Sequence, residues 1–167
     1  MKTKIAFILG SDSDYPFIEN GVALVQQFGV ALEIEISSAH RTPERTLQLV
    51  REFEAQGVGV IIAAAGGAAH LPGVVAAHTL IPVLGVPMGS PLSGLDSLLS
   101  MVQMPAGIPV ACFGIGAAGA TNAALFAVAL LALNDPLLAE KLQTYRLEQG
   151  EKVLEKSRKL KDKLARG

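Results

Sequence analysis

Short apolar segments alternate with amphipathic segments along most of the chain. The apolar segments predict five strands, over residues 4–9, 31–36, 58–64, 83–86 and 109–113. Three of them are almost wholly apolar, which is typical of parallel strands covered on both faces. The pattern therefore predicts a parallel sheet with helices packed on either side.

The segments between these strands carry apolar residues at helical spacing. Helices are predicted over residues 15–28, 43–56, 72–79, 95–102 and 117–133. Pro43 and Pro72 at the starts of two helices, and Gly29 and Gly57 just past two helix ends, are typical of helix boundaries. Strand–helix alternation of this kind predicts a three-layer α/β/α sandwich with a central parallel sheet. In such folds ligands bind where the carboxyl ends of the strands meet the helices.

The pattern changes after residue 133. A helix is predicted over 136–150, followed by a strongly charged helical segment over 151–166. No linker or internal repeat divides the chain, so we predict one domain over 1–167, with an α/β core over 1–133 and C-terminal helices over 134–167. The charged segment is either a solvated helix or an arm that contacts a neighbouring subunit.

The chain is unusually apolar. Hydrophobic residues make up 50% of it and charged residues 17%, with a mean hydropathy of +0.42, which excludes a disordered chain. The uncharged run 108–133 is interrupted by Pro109 and three glycines, and its helical part is shorter than the roughly 20 residues that a membrane span needs. We therefore expect no membrane contact, and attribute the hydropathy to burial between subunits of a homo-oligomer.

Charge and cysteine content narrow the function classes further. A net charge of −1 argues against a nucleic-acid partner. Cys112 is the single cysteine, and no histidine has an acidic pair at ligand spacing, so we predict neither a disulfide nor a metal site. Residues 1–9 lack the length and the cleavage site of a signal peptide, so a cytoplasmic location is expected.

The loop after the first strand combines Gly10, Ser11, Ser13 and Asp14. A glycine turn, two hydroxyl donors and the free N–H groups of a helix start suit a phosphate group. Asp14 would repel phosphate, so we expect it to contact sugar hydroxyls. Ser and Asp are also the commonest N-cap residues, which leaves a purely structural role as an equal alternative. The loop is neither a G-x-G-x-x-G motif nor a P-loop, so neither a dinucleotide nor a nucleoside triphosphate is indicated.

Two further loops carry candidate chemistry. After the second strand, His40 can move protons near neutral pH and Arg41 can complete a phosphate site, although His40 could instead cap the next helix. After the third strand, a run of glycines and alanines at 65–69 leaves room for a flat ligand or CO2. His70 ends that run, and we interpret it as capping the helix or steadying the loop. His78, placed inside the next helix, is interpreted as structural.

The segment 85–105 is rich in small residues and predicts a lid or a subunit contact, with Asp96 and Ser97 as a helix cap.

Five motifs occur in a fixed order: GSDSD at 10–14, SAHRTP at 38–43, AGGAAHLPG at 65–73, DSLLSMVQMP at 96–105 and NAAL at 122–125. Together they resemble the N(5)-carboxyaminoimidazole ribonucleotide mutases, the class I catalytic subunits of the phosphoribosylaminoimidazole carboxylase family. The resemblance implies a flavodoxin-like fold, a homo-octamer whose C-terminal helices reach neighbouring subunits, and possible transient contact with an upstream ATP-dependent synthetase. It implies an isomerase of de novo purine synthesis that needs no cofactor or metal.

The resemblance also implies roles for individual residues. His40 would be the acid and base of the reaction, and Asp14 would hold the ribose hydroxyls. The 5′-phosphate would be held by Ser11, Ser13 and Arg41. The wall around the migrating carboxylate would include Ala65 and Gly66, and further substrate contacts would come from Ser38, His70 and Leu71.

Two alternatives stay open at this point. A sister enzyme joins free CO2 directly to aminoimidazole ribonucleotide and shares the first two loops, but the third loop differs, which favours the mutase. A nucleotide-binding module without activity could use the same fold, because fold does not fix function. It would bind an imidazole ribonucleotide without converting it.

Overall fold

Five parallel strands form the middle layer of the computed structural model, which describes residues 4–165. They are β1 (Lys4–Leu9), β2 (Ala31–Ile36), β3 (Val58–Ala65), β4 (Val83–Pro87) and β5 (Ala111–Cys112). Their spatial order is β2-β1-β3-β4-β5, and every neighbouring pair is parallel. This is the flavodoxin-like order, so the predicted fold class is confirmed.

Helices cover both faces of the sheet because strand side chains alternate between them. In β1, Ile5 and Phe7 pack into one core, and Ala6 and Ile8 pack into the other. The first core is completed by α1 (Tyr15–Gln27) and α5 (Ala117–Ala132). The second core is completed by α2 (Pro43–Ala55), α3 (Leu71–Ala76) and α4 (Leu95–Val102).

The uncharged run 108–133 is explained by the burial of α5. Ala120, Ala124 and Val128 are fully buried against the sheet and α1. The two helices approach so closely that a Cβ atom on Gly21 of α1 would lie 3.0 Å from the carbonyl oxygen of Ala120. The small residues of α5 therefore serve close helix packing. No helix within residues 4–165 combines the length and apolarity needed to cross a membrane.

The C-terminal region differs from the prediction. It forms one continuous helix, α6 (Pro136–Ala165), rather than separate helices on either side of Gly150. A glycine in an exposed helix costs only about 1 kcal/mol, which the strong helix formers around Gly150 offset. The start of α6 packs on the first core through Leu138 and Leu142. The predicted helix end at Arg166 lies outside the described residues, as do residues 1–3.

Two further elements differ from the prediction by more than one residue at a boundary. The predicted strand 109–113 shrinks to β5, because Pro109 has no N–H group to donate to a neighbouring strand. The predicted helix 72–79 ends at Ala76. Beyond it, the Thr79 hydroxyl accepts a hydrogen bond from the Ile81 N–H at 3.1 Å and donates one to Glu54 at 2.7 Å. These hydrogen bonds stabilise a non-helical backbone between α3 and β4.

Candidate active site

The loops after β1, β2, β3 and β4 meet around a cleft of ≈ 450 Å³ at the carboxyl edge of the sheet. Hydrogen bonds of 2.9 Å join the bases of these loops to neighbouring strands, as in the bond from the Gly10 N–H to the Ala64 carbonyl. Nine of the predicted site residues line the cleft: Ser11, Ser13, Asp14, Ser38, His40, Arg41, Ala65, Gly66 and Leu71. The sequence thus predicted that the first three of these loops come together.

The first loop both caps a helix and presents hydroxyl groups. Ser11 is the N-cap of a short 3-10 helix, Asp12–Asp14, and its side chain accepts a hydrogen bond from the Ser13 N–H at 3.3 Å. The structural alternative for Ser11 is therefore confirmed. Because the Ser11 and Ser13 hydroxyls lie 2.9 Å apart and are exposed to the cleft, capping does not prevent them from binding a ligand.

The carboxylate of Asp14 is nearly buried beneath this loop, with 8% of the residue exposed. Its Oδ2 atom accepts a hydrogen bond from the Ser11 N–H at 3.1 Å, which completes a capping box. Burial raises the pKa of Asp14, the hydrogen bond from Ser11 opposes that shift, and the nearby charge of Asp12 adds to it. The proposed contact with sugar hydroxyls stays a prediction.

Buried hydroxyl groups hold the second loop. Ser37 and Thr46 are almost fully buried and share a hydrogen bond of 2.8 Å. Thr42 accepts a hydrogen bond from the Ser38 N–H at 3.2 Å, and the Ser38 hydroxyl accepts one from the Arg41 N–H at 3.3 Å. This network fixes the backbone on either side of His40. Ser37 and Thr46 were not among the predicted site residues, although a threonine on the buried face of α2 was a usable signal.

The two loop histidines contact each other. The Nε2 atom of His40 lies 2.9 Å from the Nδ1 atom of His70. His70 occupies the N-cap position of α3, but its side chain makes no capping hydrogen bond. Of the two roles expected for it, capping the helix is therefore wrong, and steadying the loop stays a prediction. His70 reaches the site through His40 and does not line the cleft directly. His78 lies beyond α3, not inside it, and its Nδ1 donates to the Val74 carbonyl at 2.8 Å, a structural contact.

The third and fourth loops form the apolar wall of the cleft. A Cβ atom on Gly66 would lie 3.3 Å from the carbonyl oxygen of Gly89, so only glycine allows this approach without a shift. Gly89 also lines the cleft. It belongs to the segment interpreted as a lid or a subunit contact, and the sequence analysis did not assign it to the site. The ending of β4 at the same sheet edge was the available signal.

The helix cap predicted at Asp96 and Ser97 is wrong. Helix α4 begins at Leu95 with Gly94 at its N-cap, so both residues lie inside the first turn. Asp96 accepts hydrogen bonds from the Ser90 hydroxyl and the Ser97 N–H. Ser97 faces the third loop instead.

A larger hollow of ≈ 720 Å³ lies at the opposite edge of the sheet, where β3 and β4 begin. Its lining is mainly apolar and includes Val60 and Leu138, and it contains none of the predicted site residues. In the described part of the chain, no group of three or more His, Cys, Asp and Glu side chains is placed to hold a metal ion. The cleft at the carboxyl edge is therefore the candidate active site.

Comparisons with known proteins identify relatives over nearly the whole chain. Residues 4–152 match the family model described as AIR carboxylase. The N5-carboxyaminoimidazole ribonucleotide mutase of Pyrococcus horikoshii is 49% identical over 162 residues, covering 96% of this chain and 90% of that protein. The enzyme of the same name from Brucella melitensis is 51% identical over 157 residues, covering 93% and 97%.

Solved structures agree with these matches. The crystal structure of Treponema denticola PurE superposes with a TM-score of 0.85 and 29% sequence identity, covering 94% of this chain and 98% of that one. The S38D variant of PurE2 from the same organism gives a TM-score of 0.87 at 28% identity, covering 96% and 99%.

Proposed function

Because the chain belongs to the AIR carboxylase family, we propose that it is an isomerase acting on N5-carboxyaminoimidazole ribonucleotide. It moves the carboxylate from the exocyclic amine to ring carbon C4, a step of de novo purine synthesis. Relatives that carry the mutase name at about half identity support this activity. The observation that carries the proposal is the cleft in which His40 and Arg41 face the glycine- and alanine-rich third loop.

The proposed reaction balances without an external acid or base. The bond between the amine nitrogen and the carboxylate breaks and releases CO2, while His40 donates a proton to the nitrogen. Ring carbon C4 then forms a bond to the same CO2. The proton on C4 returns to His40, which restores the aromatic ring and the starting protonation state of the imidazole. One residue that both donates and accepts protons therefore suffices.

The polar side of the cleft supports a phosphate site. The hydroxyls of Ser11 and Ser13 lie 2.9 Å apart, and Arg41 supplies a guanidinium group on the neighbouring loop. We assign the 5′-phosphate to these three residues. The ribose hydroxyls are assigned to Asp14, which lines the same cleft, and Ser38 contributes a further polar contact.

The apolar side of the cleft supports retention of CO2. Ala65 and Gly66 carry no polar side chain, and Leu71 closes the same wall. Ala65 is nearly buried at the end of β3. A wall of this kind excludes water and keeps CO2 beside the ring, so the second step proceeds before CO2 escapes.

We also propose that the chain works as a homo-oligomer, an octamer by its resemblance to the mutases, in which the C-terminal half of α6 contacts a neighbouring subunit. Apolar side chains on that half support the proposal, because Val153, Leu160 and Leu164 are each more than half exposed. The substrate is supplied by an ATP-dependent synthetase, with which contact would be transient. A cytoplasmic location fits such a soluble nucleotide intermediate.

An absorbance assay with purified protein tests the activity. One sample receives the N-carboxy ribonucleotide, and a second receives aminoimidazole ribonucleotide with bicarbonate at physiological concentration. Fast formation of the C4-carboxylated product in the first sample alone supports the mutase. Efficient formation in the second sample identifies a carboxylase that uses free CO2. Binding of the nucleotide without product in either sample would leave a binding module.

A further inference from the structure

The third loop is anchored to α4 by a buried hydroxyl group. The N–H group of Gly67 donates a hydrogen bond of 2.9 Å to the Oγ atom of Ser97, which lies 30 residues further along the chain. Ser97 is fully buried in the first turn of α4. Gly67 has a φ of +66°, a backbone conformation that favours glycine. The bond therefore fixes the loop at its conformationally least constrained residue.

The anchor is itself held in place. The Ser97 N–H donates to Asp96 Oδ1 at 2.9 Å, and the same carboxylate oxygen accepts a hydrogen bond from the Ser90 hydroxyl. The Ser90 oxygen in turn accepts a bond from the Gly94 N–H at 2.9 Å. The start of α4 and the loop before it thus form one closed network that ends on Gly67.

The anchored residue lies between the two parts of the site that the third loop supplies. On its amino side, Ala65 and Gly66 line the cleft. On its carboxyl side, the Gly67 carbonyl accepts a hydrogen bond from the Ala69 N–H at 2.8 Å, and the loop continues to His70, whose ring contacts His40. A shift of Gly67 would displace the apolar wall and the histidine contact together.

We propose that Ser97 is a positioning residue for carboxylate transfer. Its hydroxyl holds Gly67 so that the third loop retains CO2 between cleavage of the N–C bond and formation of the C–C bond. This inference rests on the proposed function. When the anchor is lost, CO2 leaves the site before C4 captures it, and the products become aminoimidazole ribonucleotide and free CO2.

An isotope label in the carboxylate of the substrate tests the role of Ser97. Substrate carrying ¹³C in its carboxylate is converted in excess unlabelled bicarbonate, which dilutes any CO2 that escapes. Mass spectrometry then measures label retention, the amount of ¹³C-labelled C4-carboxylated product relative to aminoimidazole ribonucleotide. Ser97→Ala removes the acceptor and is expected to lower the ratio of labelled product to aminoimidazole ribonucleotide by about tenfold, in line with one lost buried hydrogen bond. Ser97→Thr keeps the hydroxyl and is expected to retain the label.

Ser100→Ala is the matched control. Ser100 lies one turn further along α4. Its hydroxyl donates to the Asp96 carbonyl at 2.7 Å and reaches the Gly67 carbonyl only at 3.4 Å, so its loss should leave label retention at the level of the unmodified protein. Retention by Ser97→Ala equal to that of Ser100→Ala would overturn the inference. If Ser97→Ala does not fold, Gly67→Ala decides instead. A Cβ atom there meets open space but strains the positive φ, and unchanged retention would overturn the inference.

The outcome for the unmodified protein separates this inference from the proposed function. Absence of C4-carboxylated product from the N-carboxy substrate contradicts the proposed function itself. Product that has already lost its label contradicts CO2 retention, and with it the role of Ser97. Retained label in the unmodified protein with full retention in Ser97→Ala overturns the role of Ser97 alone.

Discussion

The Nε2 atom of His40 and the Nδ1 atom of His70 lie 2.9 Å apart, with the two rings at 88° to each other. In a hydrogen bond between two imidazoles one nitrogen donates and the other accepts, so the pair fixes one tautomer relative to the other. If His70 accepts at Nδ1, the Nε2–H of His40 stays in place while its Nδ1 exchanges a proton with substrate. The same hydrogen bond then persists throughout the reaction.

Replacing His40 should remove the chemistry and leave binding. We expect His40→Asn to lower kcat by about 10²–10⁴-fold, the usual contribution of a general acid or base. The dissociation constant of the substrate should change little, because Ser11, Ser13 and Arg41 are untouched. Steady-state kinetics and calorimetric titration measure the two quantities. More than about a hundredth of the activity remaining would argue against the acid–base role.

Two substitutions at His70 separate its hydrogen bond from its size. In His70→Asn, the side-chain amide oxygen can replace Nδ1 as the acceptor for His40, whereas His70→Leu fills the space without an acceptor. We expect His70→Asn to keep kcat within about tenfold, and His70→Leu to lose about tenfold more, in line with the loss of one hydrogen bond. The pH profile of kcat should change only in His70→Leu. Equal kcat values and pH profiles would show that the contact does not position His40.

The sheet could be predicted because its central strands are buried on both faces. Such strands require runs of apolar residues, as in β1 and β3, and parallel ends bring their loops to one edge. The continuity of α6 could not be predicted in the same way. Gly150 is a weak signal whose cost of about 1 kcal/mol depends on its neighbours and exposure.

Contacts within the site were harder to predict than its location. His40 and His70 were both identified as candidates, but their mutual contact depends on side-chain rotamers that spacing does not encode. The bond between Gly67 and Ser97 joins residues 30 positions apart on different elements. Asp and Ser are residue types that favour the N-cap position. Asp96 and Ser97 nevertheless lie inside the first turn of α4, where Ser97 bonds to the third loop.

Arg41 is expected to act in binding. Arg41→Ala should weaken the affinity for the ribonucleotide by about ten- to a hundredfold, the range for losing a hydrogen bond to a charged group. Arg45→Ala is the matched control. Arg45 lies in the first turn of α2, is exposed, and pairs with Glu35 at 3.1 Å. Arg45→Ala should leave the affinity within about twofold, since an exposed pair contributes little. Equal affinities of the two variants, measured by titration calorimetry, would refute the phosphate role of Arg41.

Asp14 should lower the stability of the protein at neutral pH. Its folded-state pKa is raised mainly by burial, so the native state keeps the proton at pH values where the unfolded chain has released it. The favourable contribution of Asp14 to the free energy of unfolding is therefore present at pH values below its pKa in the unfolded chain, near 3.9. It is lost as the pH rises through the pKa of Asp14 in the folded protein. Asp14→Asn removes this titration and keeps an oxygen that can accept from Ser11.

Urea unfolding of Asp14→Asn and the unmodified protein at several pH values measures this effect. The variant should gain free energy of unfolding relative to the unmodified protein as the pH rises above about 4. Asp162→Asn, on the exposed end of α6, controls for the loss of one negative charge. If the difference in free energy of unfolding between Asp14→Asn and the unmodified protein stays constant or falls as the pH rises, the raised pKa of Asp14 is contradicted. The same variant should bind the ribonucleotide less tightly if Asp14 holds the ribose.

An apolar stripe continues along α6 beyond the body of the subunit. Leu138 and Leu142 are buried in the first core, and Val153, Leu160 and Leu164 follow on the same side of the helix by its 3.6-residue period. The last three are 65%, 59% and 73% exposed. The side of α6 that packs on its own core therefore still carries exposed apolar side chains where that core has ended, with Gln149 and Lys156 between them, which is expected if a second subunit covers them.

Charges on this stripe should weaken the proposed assembly. The double variant Val153→Lys with Leu160→Lys places two positive charges at the contact. Each substitution forfeits about 1.5–3 kcal/mol of side-chain burial, so the dissociation constant should rise at least tenfold. The variant Glu151→Gln with Asp162→Asn changes the net charge equally on the opposite side of the helix, and should assemble normally. Light scattering during gel filtration gives the masses. A stripe variant with the mass of the control, or a monomeric unmodified protein, would contradict an inter-subunit role for α6.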